Sequence, residues 1–186
     1  MKISYIKKVV VALLCSTMIF FSSSFTSYAV SNTLSVTRVK QAKSQWCWAA
    51  AAEMVGKYGT SSSRTQWEVV NLIWGPTYPN VSGSVANMVS GVQYVSNYTK
   101  SAKSINVLLT LSNVQAYINA GKPMIARLAW NTSGGHAIVL SGYSDNRIRC
   151  IDPWENTSTT YYLYTSLNSG GTFLTGSGKV SHTIYY

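Results

Sequence analysis

The chain has 186 residues, 46% of them hydrophobic, with 15 Lys and Arg against 5 Asp and Glu. That length supports one domain with a full apolar core, and the sequence shows no repeat, low-complexity linker or break in composition. The net charge of +10 is scattered rather than gathered into a compact basic cluster. This argues against a specific nucleic-acid partner and favours loose attraction to anionic cell-surface polymers.

Lys2, Lys7 and Lys8 open the chain, an apolar run follows from Val9 to Phe21, and S-Y-A closes the stretch at residues 27–29. This is the layout of a secretory signal peptide cut after Ala29. The apolar run is too short to span a bilayer comfortably, so a retained membrane anchor is the weaker reading. The expected organisation is a signal peptide over 1–29 and one secreted, extracellular domain over 30–186, with no membrane association after cleavage. Cys15 leaves with the signal. Cys47 and Cys150 remain, and in a secreted chain such a pair first suggests a disulfide.

The first half of the domain reads as helical. Residues 46–58 (W-C-W-A-A-A-A-E-M-V-G-K-Y) combine helix formers with apolar side chains at 46, 50, 54 and 58, and Gly59 is a stop signal. T-Q-W-E at 65–68 is a capping-box pattern ahead of a helix that ends before Gly75-Pro76. Further helices are expected over 84–95 and 112–120, the latter capped by Ser112 and closed by Gly121.

After Pro123 the hydrophobic period shortens. Strands are expected at 124–130, 136–143, 147–152, 159–164 and 182–186, with turns at N-T-S-G-G (131–135) and S-D-N (144–146). Helices first and antiparallel strands second define an α+β fold. A cleft between the two parts is the natural place for a site.

Cys47 is expected at the first turn of the first helix, where the helix dipole favours a thiolate. A neighbouring imidazole does the same and relays the proton. His136 is the better placed of two candidates: it follows two glycines and begins an apolar strand. His182 lies among Ser and Tyr and reads as structural. A working histidine needs an acceptor on its second nitrogen, and Asp152 ends the next strand. The two pair across the S-D-N turn after a small register offset or bulge. The alternative is that Asp152 only starts the D-P-W turn.

Gln41 six residues before Cys47, Trp48 directly after it, His136 within G-G-H-A-I-V-L-x-G-Y, and Asp152 within I-D-P-W together resemble the papain-like cysteine peptidases. The likeness is to their compact bacterial branch, which includes bacteriocin leader-processing peptidases and plant-pathogen effector cysteine peptidases. It spans about residues 38–165. It implies a papain-like fold, with a helical part whose nucleophile helix packs on a C-terminal antiparallel sheet. It also implies Cys47 as nucleophile, His136 as general acid/base, Asp152 as the residue orienting it, and Gln41 with the Cys47 N–H as oxyanion donors. Gln45 is the rival donor by proximity.

Trp46, Trp48, Gly135 and Trp154 are expected to bind substrate by walling the cleft and roofing the His136–Asp152 contact. The C-G-S-C of plant papains is absent, with S-Q-W-C in its place. Hydrolysis of a protein or peptide substrate through a thioester is the leading expectation. A cell-wall peptide hydrolase or an acyltransferase with the same three residues, and a non-catalytic binding or toxin module, are the alternatives. No HExxH or paired-ligand spacing occurs, so neither a metal nor another cofactor is expected.

Overall fold

The structure, a computed structural model, describes residues 30–154 and 156–186; the signal-peptide expectation for 1–29 lies outside it. Four helices fill the first part of the described chain: α1 (Cys47–Lys57), α2 (Gln66–Trp74), α3 (Val85–Val95) and α4 (Leu111–Asn119). The strands are β1 (Ser31–Thr33), β2 (Lys103–Ile105), β3 (Met124–Trp130), β4 (Gly135–Ser144), β5 (Arg147–Ile151), β6 (Thr160–Leu163), β7 (Gly171–Phe173) and β8 (Gly176–Tyr185), with helix α5 (Tyr164–Ser169) between β6 and β7. They form one sheet in the order β2-β8-β3-β4-β5-β6, with β1 added to β4 and β7 to β8, and every pairing is antiparallel.

Helix α1 is the buried axle of the fold. Its residues from Trp48 to Gly56 are all buried. Small side chains let α3 approach closely: a Cβ on Gly91 would stand 2.8 Å from the Ala52 Cβ, and one on Gly56 2.5 Å from the Val95 Cβ. Glu53 is buried on this helix and fully used. It accepts from Lys57 Nζ at 2.7 Å and from the Gln66 backbone N–H at 2.6 Å. Gln66 then accepts from the Ala42 N–H at 2.8 Å and donates to the Lys40 carbonyl at 2.9 Å. This relay fixes the loop that leads into α1. At the far end, the buried Lys100 ammonium donates to the carbonyls of Val55, Gly56 and Tyr58, satisfying acceptors that a helix C-terminus leaves open.

Three expectations need correction. Helix α4 begins one residue early because Thr110, not Ser112, is its cap and accepts the Asn113 N–H at 3.3 Å. The strand expected over 159–164 stops at Leu163, which pairs with Arg147, the first residue of β5; beyond it the neighbouring chain is already a turn, and Tyr164 starts α5. The last strand is much longer than 182–186. Its glycine-rich start has low intrinsic strand preference and is held by pairing with β3 and β7.

Candidate functional site

Cys47 is the first residue of α1 and is half-buried, with Trp46 as the preceding cap. It stands at the positive end of the helix dipole. Both cysteines are free thiols. Cys150 is wholly buried on β5, and burial, together with the nearby Asp152 charge, holds its thiol in the protonated form. The disulfide reading is therefore not the arrangement found.

A β-bulge brings the histidine and the aspartate together. On the turn side of the β4–β5 ladder Gly142 faces Arg149; on the other side Leu140 faces Cys150 and Val139 faces Ile151, so Ser141 is the extra residue. Continuing that register, Asp152 stands across from Ile138. It thus shares a face with Ile138 and with His136 two residues further on. Without the bulge Asp152 would face Val139 and project to the opposite side. Ser141 is buried, and its hydroxyl accepts from Arg149 Nη1 at 2.7 Å.

His136 Nε2 meets Asp152 Oδ1 at 2.7 Å, and both residues are buried. Cys47 and His136 line the same cleft, and the thiol joins Asp152 in favouring the charged ring. Burial opposes a charged ring, but the hydrogen bonds to Asp152 and Cys47, and their charges, outweigh it and raise the His136 pKa to about 9. The chemistry available is proton exchange between thiol and imidazole, with the carboxylate fixing the ring.

Asp152 itself is held from several directions. Oδ1 also accepts the Trp154 N–H at 2.7 Å, and Oδ2 accepts from Thr175 Oγ1 at 3.4 Å. Arg38 donates to the carbonyls of Asp152 and Trp154, and the Gln41 N–H donates to the Pro153 carbonyl at 2.8 Å. Asp152 therefore starts the D-P-W turn and holds His136 with the same oxygen.

Cys47 and His136 open onto a cleft of about 470 Å³ between α1 and the β3–β4 end of the sheet. Trp48 lines it, with its indole N–H on the Val81 carbonyl at 3.2 Å. Gly83 lies directly on that indole: a Cβ there would stand 2.2 Å from Trp48 Cδ2. Gly135 is on the rim and Trp154 stands edge-on to the His136 ring at 6.2 Å.

Trp46 is the exception among the residues expected to bind substrate. It is fully buried away from the cleft, packed edge-on against Trp67 at 4.7 Å, with its N–H on the Pro79 carbonyl. Residues two apart at a helix start point about 200° apart around the axis, so Trp46 turns to the core while Trp48 lines the cleft.

Gln41 is buried. Its Nε2 donates to the Lys43 and Ser44 carbonyls at 2.9 Å each, and its Oε1 has no hydrogen-bond partner among the described residues. Gln45 lies on the cleft surface and accepts from Ser82 Oγ at 2.6 Å.

Sequence reasoning missed Trp130, whose ring stacks on His136 at 6.2 Å and 16°. It also missed Arg38 and Thr175. Trp130 ends a strand, where an aromatic reads as core; only the pairing of Leu128 with His136 reveals which ring it flanks.

An α+β frame with a thiol at the start of its central helix and an imidazole from the sheet places the chain among the papain-like cysteine peptidases. Residues 33–172 match the Peptidase_C39 like family, and the chain belongs to it. Among solved structures, the peptidase domain of Streptococcus ComA, a bi-functional ABC transporter involved in quorum sensing, is similar at 17% identity with a TM-score of 0.57. The match covers 78% of this chain and 93% of that one. A C39-like peptidase from Bacillus anthracis is similar at 11% identity and TM-score 0.57, covering 84% of this chain and 98% of that one. Both likenesses concern the fold. No curated protein matches the sequence.

Proposed function

We propose that the protein hydrolyses peptide bonds through a thioester on Cys47. The observation that carries this reading is that His136, 2.7 Å from the Asp152 carboxylate, shares one cleft with the Cys47 thiol at the start of α1. In this mechanism the Cys47 thiolate adds to the substrate carbonyl. His136, charged and held by Asp152, protonates the departing amine and then takes a proton from the water that cleaves the thioester. The Cys47 N–H and Gln41 stabilise the oxyanion; for Gln41 this requires its amide to leave the Lys43 and Ser44 carbonyls when substrate binds.

Trp130 and Trp154 exclude water from the imidazole, while Trp48 and Gly83 supply a cleft wall for an extended peptide. The signal-like start of the sequence supports secretion, so the substrate is an extracellular protein or peptide, and the positive charge favours retention on anionic cell-surface polymers.

The test is cleavage of a randomised peptide library, read by mass spectrometry. Wild-type protein should produce new termini. Cys47→Ala should produce none while keeping its circular dichroism spectrum and melting profile. Cleavage by the alanine variant would overturn the proposal.

A further inference from the structure

The geometry points to Arg127 as a specificity-determining residue that selects substrates presenting a carboxylate close to the scissile bond. This inference rests on the peptidase reading and adds a substrate class to it.

Among the described residues Arg127 is the one Lys or Arg lining the cleft, and no Asp or Glu lines it. It sits on β3 directly across from Ala137, the residue after His136, so its side chain leaves the sheet on the face opposite the imidazole, and both line the same cleft. Among the described residues no carboxylate pairs with it. A positive charge with no described carboxylate beside it, in a cleft with aromatic walls, sets a local potential that favours an anionic ligand group.

The guanidinium is also preorganised. The β3–β8 register shifts at Arg127 and Leu128, whose partners are His182 and Val180, leaving Ser181 as the unpaired residue of a bulge. Bulges beside functional clefts commonly re-aim a side chain. Here the freed Ser181 hydroxyl donates to the Arg127 carbonyl at 3.1 Å and accepts from Arg127 Nη1 at 2.8 Å. One edge of the guanidinium is thus pinned to Ser181 of the neighbouring strand β8. Nη2 lies toward Gly135, where a Cβ would come within 3.4 Å of it; the glycine leaves that side unobstructed. A planar fork with donors to spare suits a carboxylate better than a neutral amide.

The carboxylate has two sources, an Asp or Glu side chain and a free peptide C-terminus. Positional-scanning mixtures of acetylated octapeptides, each with Glu, Gln or Lys at one fixed position, distinguish them when made both as C-terminal acids and as amides. The readout is the Glu/Gln ratio of kcat/KM at each position. Wild-type protein should favour Glu by about tenfold or more at one position near the cleaved bond. If the terminal carboxylate is the source, acids should instead outrun amides by a similar factor, with cleavage close to the C-terminus. Arg127→Gln should bring the preference close to one, and Arg127→Glu should turn it toward Lys. Because each ratio is taken within one variant, a general loss of activity cancels.

Arg149→Gln serves as control, since Arg149 binds the Ser141 bulge in the same manner but is not part of the cleft. It should keep the wild-type ratio. Equal loss of the ratio in both arginine variants, or no acid preference in wild type, would overturn the inference. The same mixtures are passed over immobilised Cys47→Ala protein with Arg127 intact or replaced by Gln. Selective retention of the acidic peptides by the first alone supports the inference even if no cleavage occurs, which would count against the peptidase reading only. Equal retention by both would count against Arg127.

Discussion

His136 and Asp152 are sixteen residues apart and meet at 2.7 Å across a hairpin whose register is corrected by one extra residue, Ser141. The same Asp152 oxygen also accepts the Trp154 N–H at 2.7 Å. Position 152 is therefore asked for two things: an acceptor for a turn and a negative charge for an imidazolium. Asn satisfies the first and not the second. Asp152→Asn should fold normally and lower kcat/KM on the order of 10²-fold, the range of a disabled general acid/base. Steady-state kinetics beside a thermal melt separates the two effects; a melt that collapses together with activity would assign Asp152 to the turn alone.

The raised His136 pKa sets a pH dependence. The ring titrates at about 9 in the folded protein against an ordinary 6.5. Its contribution to stability is then fully present below about pH 6.5 and is lost as pH rises through about 9. Denaturant titrations of wild type and His136→Gln should show the stability gap between them narrowing across that window. Peptidase activity should fall above about pH 9 as the ring loses its proton. In Asp152→Asn that fall should move to lower pH, because one of the two partners that raise the pKa has lost its charge.

Gln41 and Gln45 divide two roles that sequence proximity confuses. Gln41 is buried with an unpartnered Oε1, whereas Gln45 is exposed and tied to Ser82. If Gln41 is the oxyanion donor, Gln41→Ala should lower kcat by about 10²- to 10³-fold with little change in KM. Gln45→Ala should stay within a few-fold of wild type. The reverse order in a kinetic comparison would move the role to Gln45.

Lys100 closes the far end of α1 through three backbone carbonyls. Lys100→Met keeps the stem and removes the donors, leaving buried acceptors open at a cost of about 1–3 kcal/mol. The expected result is a lower melting temperature with unchanged kcat/KM per folded molecule. A large change in kcat/KM at temperatures well below the melt would show that the cap also positions the thiol.

Much of this molecule was legible in local sequence because local physics decides it. The run of alanines specified a helix thin enough to be buried, and T-Q-W-E specified the next helix start, where Glu68 accepts the Thr65 N–H at 2.8 Å. The small acidic set also carried information: Glu53 braces α1 and α2, Glu68 closes the capping box, and Asp152 holds His136. Residue type and spacing singled out Cys47, His136 and Asp152 because few side chains can hold a thiolate, carry a proton and orient a ring.

The tertiary structure decided what depends on register and facing. Whether Asp152 reaches His136 turns on the Ser141 bulge, since one residue of slip reverses the side to which every later side chain points. Trp46 and Trp48 flank the same cysteine, yet the helical turn sends one into the core and the other to the cleft. Arg38, Trp130 and Arg127 are far from the site residues in sequence or unremarkable in type. Only strand pairing and the packing of the 34–44 segment against the D-P-W turn bring them there, because a sequence records which contacts are affordable and the closed fold selects which are made.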